Sequence, residues 1–133
     1  MKQLINITLV LFSLLAFAGC SDAAESSSPT EVVPGIPVKN TVTMVDLGAK
    51  TCVPCKMMAP ILEELKKEYQ GRAEIIFIDV WDEANKGKAR KFKILAIPTQ
   101  IFYDREGRET FRHTGFLDKK SITAELEKLL SAN

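Results

Sequence analysis

The sequence predicts an α/β domain, a mixed central sheet of about four strands flanked by helices on both faces. Three observations predict it. Segments with strand-like patterning alternate with segments of helical periodicity in the order β-α-β-α-β-β-α. The first three strands are separated by helical segments, which favours parallel pairing through right-handed crossovers. Asp104-Arg105-Glu106-Gly107-Arg108 then joins two β-rich runs, a hairpin signal that adds an antiparallel edge.

Thr41 to Leu47 alternates and is rich in β-formers, and so reads as the first strand. From Val53 to Tyr69, the apolar residues Met58, Ile61, Leu62, Leu65 and Tyr69 follow helical spacing. Pro54 suits a first turn, whereas Pro60 lies inside and should kink the helix by removing a donor and crowding the turn before it. Glu74 to Val80 holds the continuous run Ile75-Ile76-Phe77-Ile78, typical of a strand buried on both faces. Asp82 to Phe92 reads as a second helix, polar and weakened by Gly87. Thr99 to Tyr103 and Glu109 to His113 are the hairpin strands. Asp118 can cap a last helix whose buried stripe is Ile122, Leu126, Leu129 and Leu130.

A length of 133 residues fits one small domain plus accessory segments. With 46 % apolar and 26 % charged residues, global disorder and a multispan membrane protein are excluded. Eighteen basic against seventeen acidic side chains leave a charge of +1, which gives no electrostatic reason to expect nucleic acid as a partner. The single histidine, His113, excludes a mechanism needing two imidazoles from one chain. Residues 1–20 read as an export signal: Lys2 is followed by the uncharged apolar run Leu4 to Gly19, short of the ~20 residues of a spanning helix. The run ends in Phe17-Ala18-Gly19-Cys20, which resembles the lipobox of bacterial lipoproteins, with Phe17 where leucine is usual. That resemblance implies cleavage before Cys20, lipidation of its sulfur and tethering to a membrane on the extracytoplasmic (periplasmic) side. An ordinary cleaved signal and an uncleaved anchor are the alternatives. Residues 21–39, with Ser26-Ser27-Ser28-Pro29 and Pro34-Gly35-Ile36-Pro37, form a flexible linker, and residues 40–133 form the folded domain.

Of three cysteines, two stand together. Cys52-Val53-Pro54-Cys55 joins the first strand to the first helix. A sulfur at a helix N-terminus faces unpaired N–H groups and the positive end of the dipole, which favour the thiolate. Only the thiolate attacks a disulfide, so Cys52, the outer position, is the expected nucleophile, and Cys55 can reach back to resolve the mixed disulfide. A CxxC pair alone also fits half a zinc site, a structural disulfide or chance. Zinc needs four ligands, and the mature chain offers two cysteines and His113. A structural bridge closing so small a loop removes little unfolded-state entropy.

Asp46, the stretch Cys52-Val53-Pro54-Cys55-Lys56-Met57-Met58-Ala59-Pro60-Ile61-Leu62, and Ile97-Pro98-Thr99 together resemble the thioredoxin family across the whole folded part. The resemblance implies a thioredoxin-like fold and a redox disulfide between Cys52 and Cys55. It implies a cis Pro98 beside the nucleophilic sulfur, and a substrate surface of Val53, Pro54, Ile97 and Gly115. It also implies that Asp46 faces the core beneath the cysteines, with a raised pKa, and takes the proton of Cys55. Thr51 and Gly48 stand where the family has tryptophans, Val53 where it has glycine, and Ile75 where it has a lysine near the buried aspartate. These departures bear on reductase recognition and substrate range more than on exchange chemistry.

The function expected is that of an exported, membrane-tethered thiol–disulfide oxidoreductase, acting on proteins with disulfides or thiols. It would be re-reduced by a membrane electron donor and would need no cofactor or metal. Val-Pro between the cysteines carries no charge or histidine to stabilise the thiolate strongly, which favours a reductant or isomerase over a strong oxidant. The competing expectation is a non-catalytic binding module or metal carrier on the same fold. The basic run Lys86, Lys88, Arg90, Lys91 and Lys93 reads as a solvated face, and Trp81 as space-filling.

Overall fold

The computed structural model describes residues 35–132. The export signal, Cys20 and most of the linker lie outside the described residues. The elements run β1 (Val42–Gly48), α1 (Val53–Glu68), β2 (Ala73–Asp79), a 3₁₀ turn (Glu83–Asn85), α2 (Lys88–Lys91), β3 (Thr99–Tyr103), β4 (Glu109–Thr114) and α3 (Lys119–Ser131).

The four strands form one mixed sheet in the order β2-β1-β3-β4. β1 pairs with β2 in parallel, from Val42 opposite Ala73 to Gly48 opposite Asp79. β1 pairs with β3, and β3 with β4, in antiparallel fashion. The direction of β3 corrects the sequence expectation of three parallel strands. α2 has four residues, about 6 Å of helix, whereas a parallel return would carry the chain back along a strand of about 23 Å. The chain instead re-enters the sheet at the end where it left: Gly48 lies opposite Asp79, and Leu47 opposite Thr99.

Strand alternation divides the core in two. On one face Val42 and Met44 of β1, Ala73 and Ile75 of β2, and Phe102 of β3 pack under α1 and α3, which contribute Met58, Leu62, Leu65, Ile122, Leu126 and Leu129. The stripe expected for the last helix is therefore buried, with Leu130 at its margin. On the other face Val45, Leu47, Ile78, Ile101 and Tyr103 are covered by Phe92 and Ile94, which flank α2, and by Ile36.

Two further differences from the sequence reading have local causes. The helix expected over Asp82–Phe92 is a 3₁₀ turn and a single α-turn, divided at Gly87, which adopts φ +87°. No residue of α2 is buried, so nothing apolar extends it. β2, expected to be buried on both faces, is an edge strand with Glu74 exposed, and the fully buried strands are β1 and β3. α1 runs unbroken through Pro60 to Glu68.

Candidate active site

The end of the sheet where β1 and β2 finish carries the cysteines. Cys52 is the N-cap residue of α1, with its backbone extended and its side chain making no capping hydrogen bond. Its carbonyl already accepts the N–H of Lys56 at 3.0 Å. The sulfur is thus left at the positive end of a sixteen-residue helix that has no acidic side chain in its first turn. Pro54 in that turn removes no hydrogen bond, because its N–H would have been without a helical partner. Cys52 and Cys55 are joined by a disulfide, with Cα atoms 5.2 Å apart. Their exposure differs: Cys52 is half-buried, whereas Cys55 is 3 % exposed.

Gly48 lets the buried sulfur sit where it does. A Cβ there would come within 3.2 Å of Cys55 Sγ and 3.1 Å of the Phe77 ring. Beside this close approach lies a cavity of about 210 Å³ lined by Ala49, Cys55, Ala59, Leu62 and Phe77, with Lys56 among the polar groups at its edge. The small residue at position 48 thus leaves room next to Cys55.

Asp46 shares its face of β1 with Gly48, two residues and about 7 Å along the strand. Its side chain is fully buried and accepts a hydrogen bond from Gln100 Nε2 at 2.7 Å through Oδ1. Among the described residues Oδ2 has no partner, and neither has Gln100 Oε1. Burial pushes the Asp46 carboxyl up to about 6, and the Gln100 bond opposes part of that rise. On β2 its neighbour is Phe77, and Ile75 lies two residues further along, so the strand brings no cation to this face. The buried amide of Gln100 occupies the equivalent place on β3.

Pro98 follows a cis peptide bond, is buried, and accepts the N–H of Gly115 at 2.8 Å through its carbonyl. Gly115 needs its glycine, since its φ is +107°. Ile97 lies just before the β3 ladder, half-buried and outside the strand pairing. Val53 and Pro54, between the cysteines, are exposed. The loops leaving this end of the sheet also expose Trp81 (63 %), Leu95 and Phe116, which corrects the reading of Trp81 as space-filling. Met57 is exposed, while Met58 is buried and its sulfur accepts the N–H of Leu117 at 3.4 Å.

His113 stands opposite Gln100 in the β3–β4 pairing and bonds through Nε2 to the carbonyl of Phe116 at 3.2 Å. Among the described residues no group of three or more His, Cys, Asp and Glu side chains is arranged to hold a metal ion. Gln100 and Leu95 escaped the sequence reading, and Trp81 was read only as space-filling. A signal existed for Gln100, a polar residue two positions from Phe102 and therefore on the same core face of an apolar strand.

The profile of the family described as Thioredoxin matches residues 31–128. Thioredoxins of Staphylococcus aureus strains Mu50 / ATCC 700699 and MW2 are each 39 % identical to this chain over 93 residues, covering 70 % of this chain and 86 % of theirs. Among solved structures, the pneumococcal exposed lipoprotein thioredoxin of Streptococcus pneumoniae strain TIGR4 has the same fold, with a TM-score of 0.60 and 22 % identity over 68 % of this chain and 87 % of that one. The chain belongs to the thioredoxin family and is a thiol–disulfide oxidoreductase.

Proposed function

We propose that this protein is a lipid-tethered, extracytoplasmic thioredoxin that reduces or isomerises disulfides of exported proteins through Cys52 and Cys55. The observation that carries the proposal is the asymmetry of the pair: one sulfur caps a helix near the surface, and the other is buried next to it on the Asp46 side. In the reduced protein the Cys52 thiolate attacks a substrate disulfide, forming a mixed disulfide and expelling one substrate thiolate. Cys55 then gives up its proton to Asp46 and attacks Cys52 Sγ. The Cys52–Cys55 disulfide forms, the second substrate thiolate leaves, and two electrons have passed to the substrate. The proton passes from Cys55 to Asp46 through one bridging water.

Pro98 and Ile97 present backbone to the substrate beside Cys52, and Val53, Pro54 and Gly115 complete the surface. A membrane electron donor returns two electrons and two protons after each turnover. The uncharged Val-Pro insert favours a reducing role, and a reduction potential below about −200 mV is expected. The lipobox-like Cys20 and residues 21–39 supply the anchor and tether, and residues 40–133 the catalytic domain. The pneumococcal structure of the same fold is itself that of an exposed lipoprotein, which supports this arrangement.

Trapping tests the proposal. Cys55→Ser should hold exported proteins as mixed disulfides on Cys52, releasable by reductant. A Cys52→Ser, Cys55→Ser double variant should hold none. Capture of nothing by Cys55→Ser, together with stoichiometric metal binding by the reduced wild-type protein, would replace this reading with that of a metal carrier.

A further inference from the structure

A buried carboxylate that is to take a proton must keep one oxygen free and must not be driven wholly to the neutral acid by burial. Asp46 meets both conditions through one side chain. Gln100 is completely buried, lies opposite Asp46 in the β1–β3 pairing, and donates from Nε2 to Oδ1 at 2.7 Å. That bond leaves Oδ2 as the oxygen without a partner, in a core where unmet acceptors are rare. Oε1 of the same Gln100 is likewise without a partner among the described residues.

We infer that Gln100 is a positioning residue for the resolving step: its N–H fixes Oδ1 and holds Asp46 as a carboxylate, and Oδ2 receives the Cys55 proton. The inference rests on the proposed exchange reaction. The balance is simple, because the proton leaves the Cys55 thiol and appears on Asp46 while the amide keeps all its atoms.

The other elements around Asp46 bring little charge to it. β2 presents Ile75 and Phe77, β3 adds Phe102, and α3 packs through Ile122 and Leu126. α1 brings the buried Met58 and Cys55, the latter titratable when reduced. His113 of β4 lies one strand beyond Gln100. Lys50, Lys56, Lys66 and Glu63 line the cavity on the far side of Cys55 and Phe77. Only burial and the Gln100 bond act appreciably on the carboxyl. A charge-assisted N–H···O⁻ bond is stronger than a neutral hydrogen bond, so losing the amide harms the ionised form more.

The test follows the aspartate carboxyl ¹³C signals of the full chain against pH, with Asp46 assigned by its loss in Asp46→Asn. Gln100→Met is expected to raise the Asp46 midpoint by about one pH unit. The pH profile of the Cys55 resolving step should move by the same amount, and the infrared carbonyl band of protonated Asp46 should shift to higher frequency. A midpoint that stays or falls would overturn the inference. Gln100→Glu guards against misfolding of the first variant. Two facing carboxyls should share one proton, with an upper midpoint above that of wild type, whereas two ordinary independent titrations overturn the inference equally. If Cys55→Ser traps nothing while the midpoint still moves, the exchange reading fails and the coupling stands. If trapping succeeds and the midpoint does not move, only the role of Gln100 fails.

Discussion

At the scale of single residues, Asp46 sets a pH dependence that its surroundings dictate. Burial raises its carboxyl from the ordinary aspartate value of 3.8 to about 6 in the folded protein. Between those values the folded state binds more protons at this site than the unfolded chain, so the contribution of Asp46 to stability is greatest below pH 4 and is lost as pH rises through 6. The full excursion is about 3 kcal/mol, contributed by this group alone. Asp46→Asn should abolish that decline and be the more stable protein at pH 8, as read by urea unfolding of the oxidised form at pH 5 and pH 8. An unchanged slope would place the carboxyl in a less buried setting. On the proposed mechanism the same variant lacks the acceptor for the Cys55 proton, so release of substrate from the mixed disulfide should slow by about 10²-fold at neutral pH in stopped-flow measurements. Greater stability with slower turnover is the signature of a carboxylate kept for chemistry.

At the scale of elements, stability follows burial and not helix count. Leu126 of α3 is fully buried between the helix and the sheet. Leu126→Ala should lower the unfolding free energy by about 2–5 kcal/mol, visible as a depressed thermal midpoint. α2 buries nothing, and Arg90→Ala on its exposed side should stay within about 0.5 kcal/mol. This contrast also separates what was legible in the sequence from what was not. α1 and α3 could be read because one apolar face recurs with helical period over three or more turns. Strand positions were legible to within a residue or so for a similar reason. The direction of β3 was not, since alternation has the same period whichever way a strand runs, and only the shortness of α2 forces the antiparallel entry. The helix-capping pair at positions 52 and 55 follows from chain order. The Asp46–Gln100 bond joins residues 54 apart in sequence and depends on register, which no local pattern specifies.

At the scale of the whole molecule, the proposed function puts the domain at the end of a tether, and the physics of the tether would decide where it works. No helix among the described residues is long and apolar enough to cross a membrane. On the proposed reading, attachment belongs to residues 1–20 and to Cys20. Each buried CH₂ of an acyl chain contributes about 0.8 kcal/mol, so a single chain holds a protein only reversibly and two or more hold it stably. The Ser- and Pro-rich residues 21–39, extended at about 3 Å each, would let the cysteine end of the sheet reach substrates tens of ångströms from the lipid. The full chain expressed in a bacterium should accordingly enter the detergent phase on Triton X-114 partition and carry label from radioactive palmitate. Cys20→Ala should lose both properties while keeping the disulfide-reducing activity of the domain, since position 20 lies well before the CxxC pair in the sequence and takes no part in the proposed exchange. Partition into the detergent phase without label would point to an uncleaved apolar segment as the anchor. Recovery of the wild-type chain in the aqueous phase would point to an ordinary cleaved signal. Either result would remove the lipid from the proposal and leave the exchange chemistry, which depends on the sheet end alone.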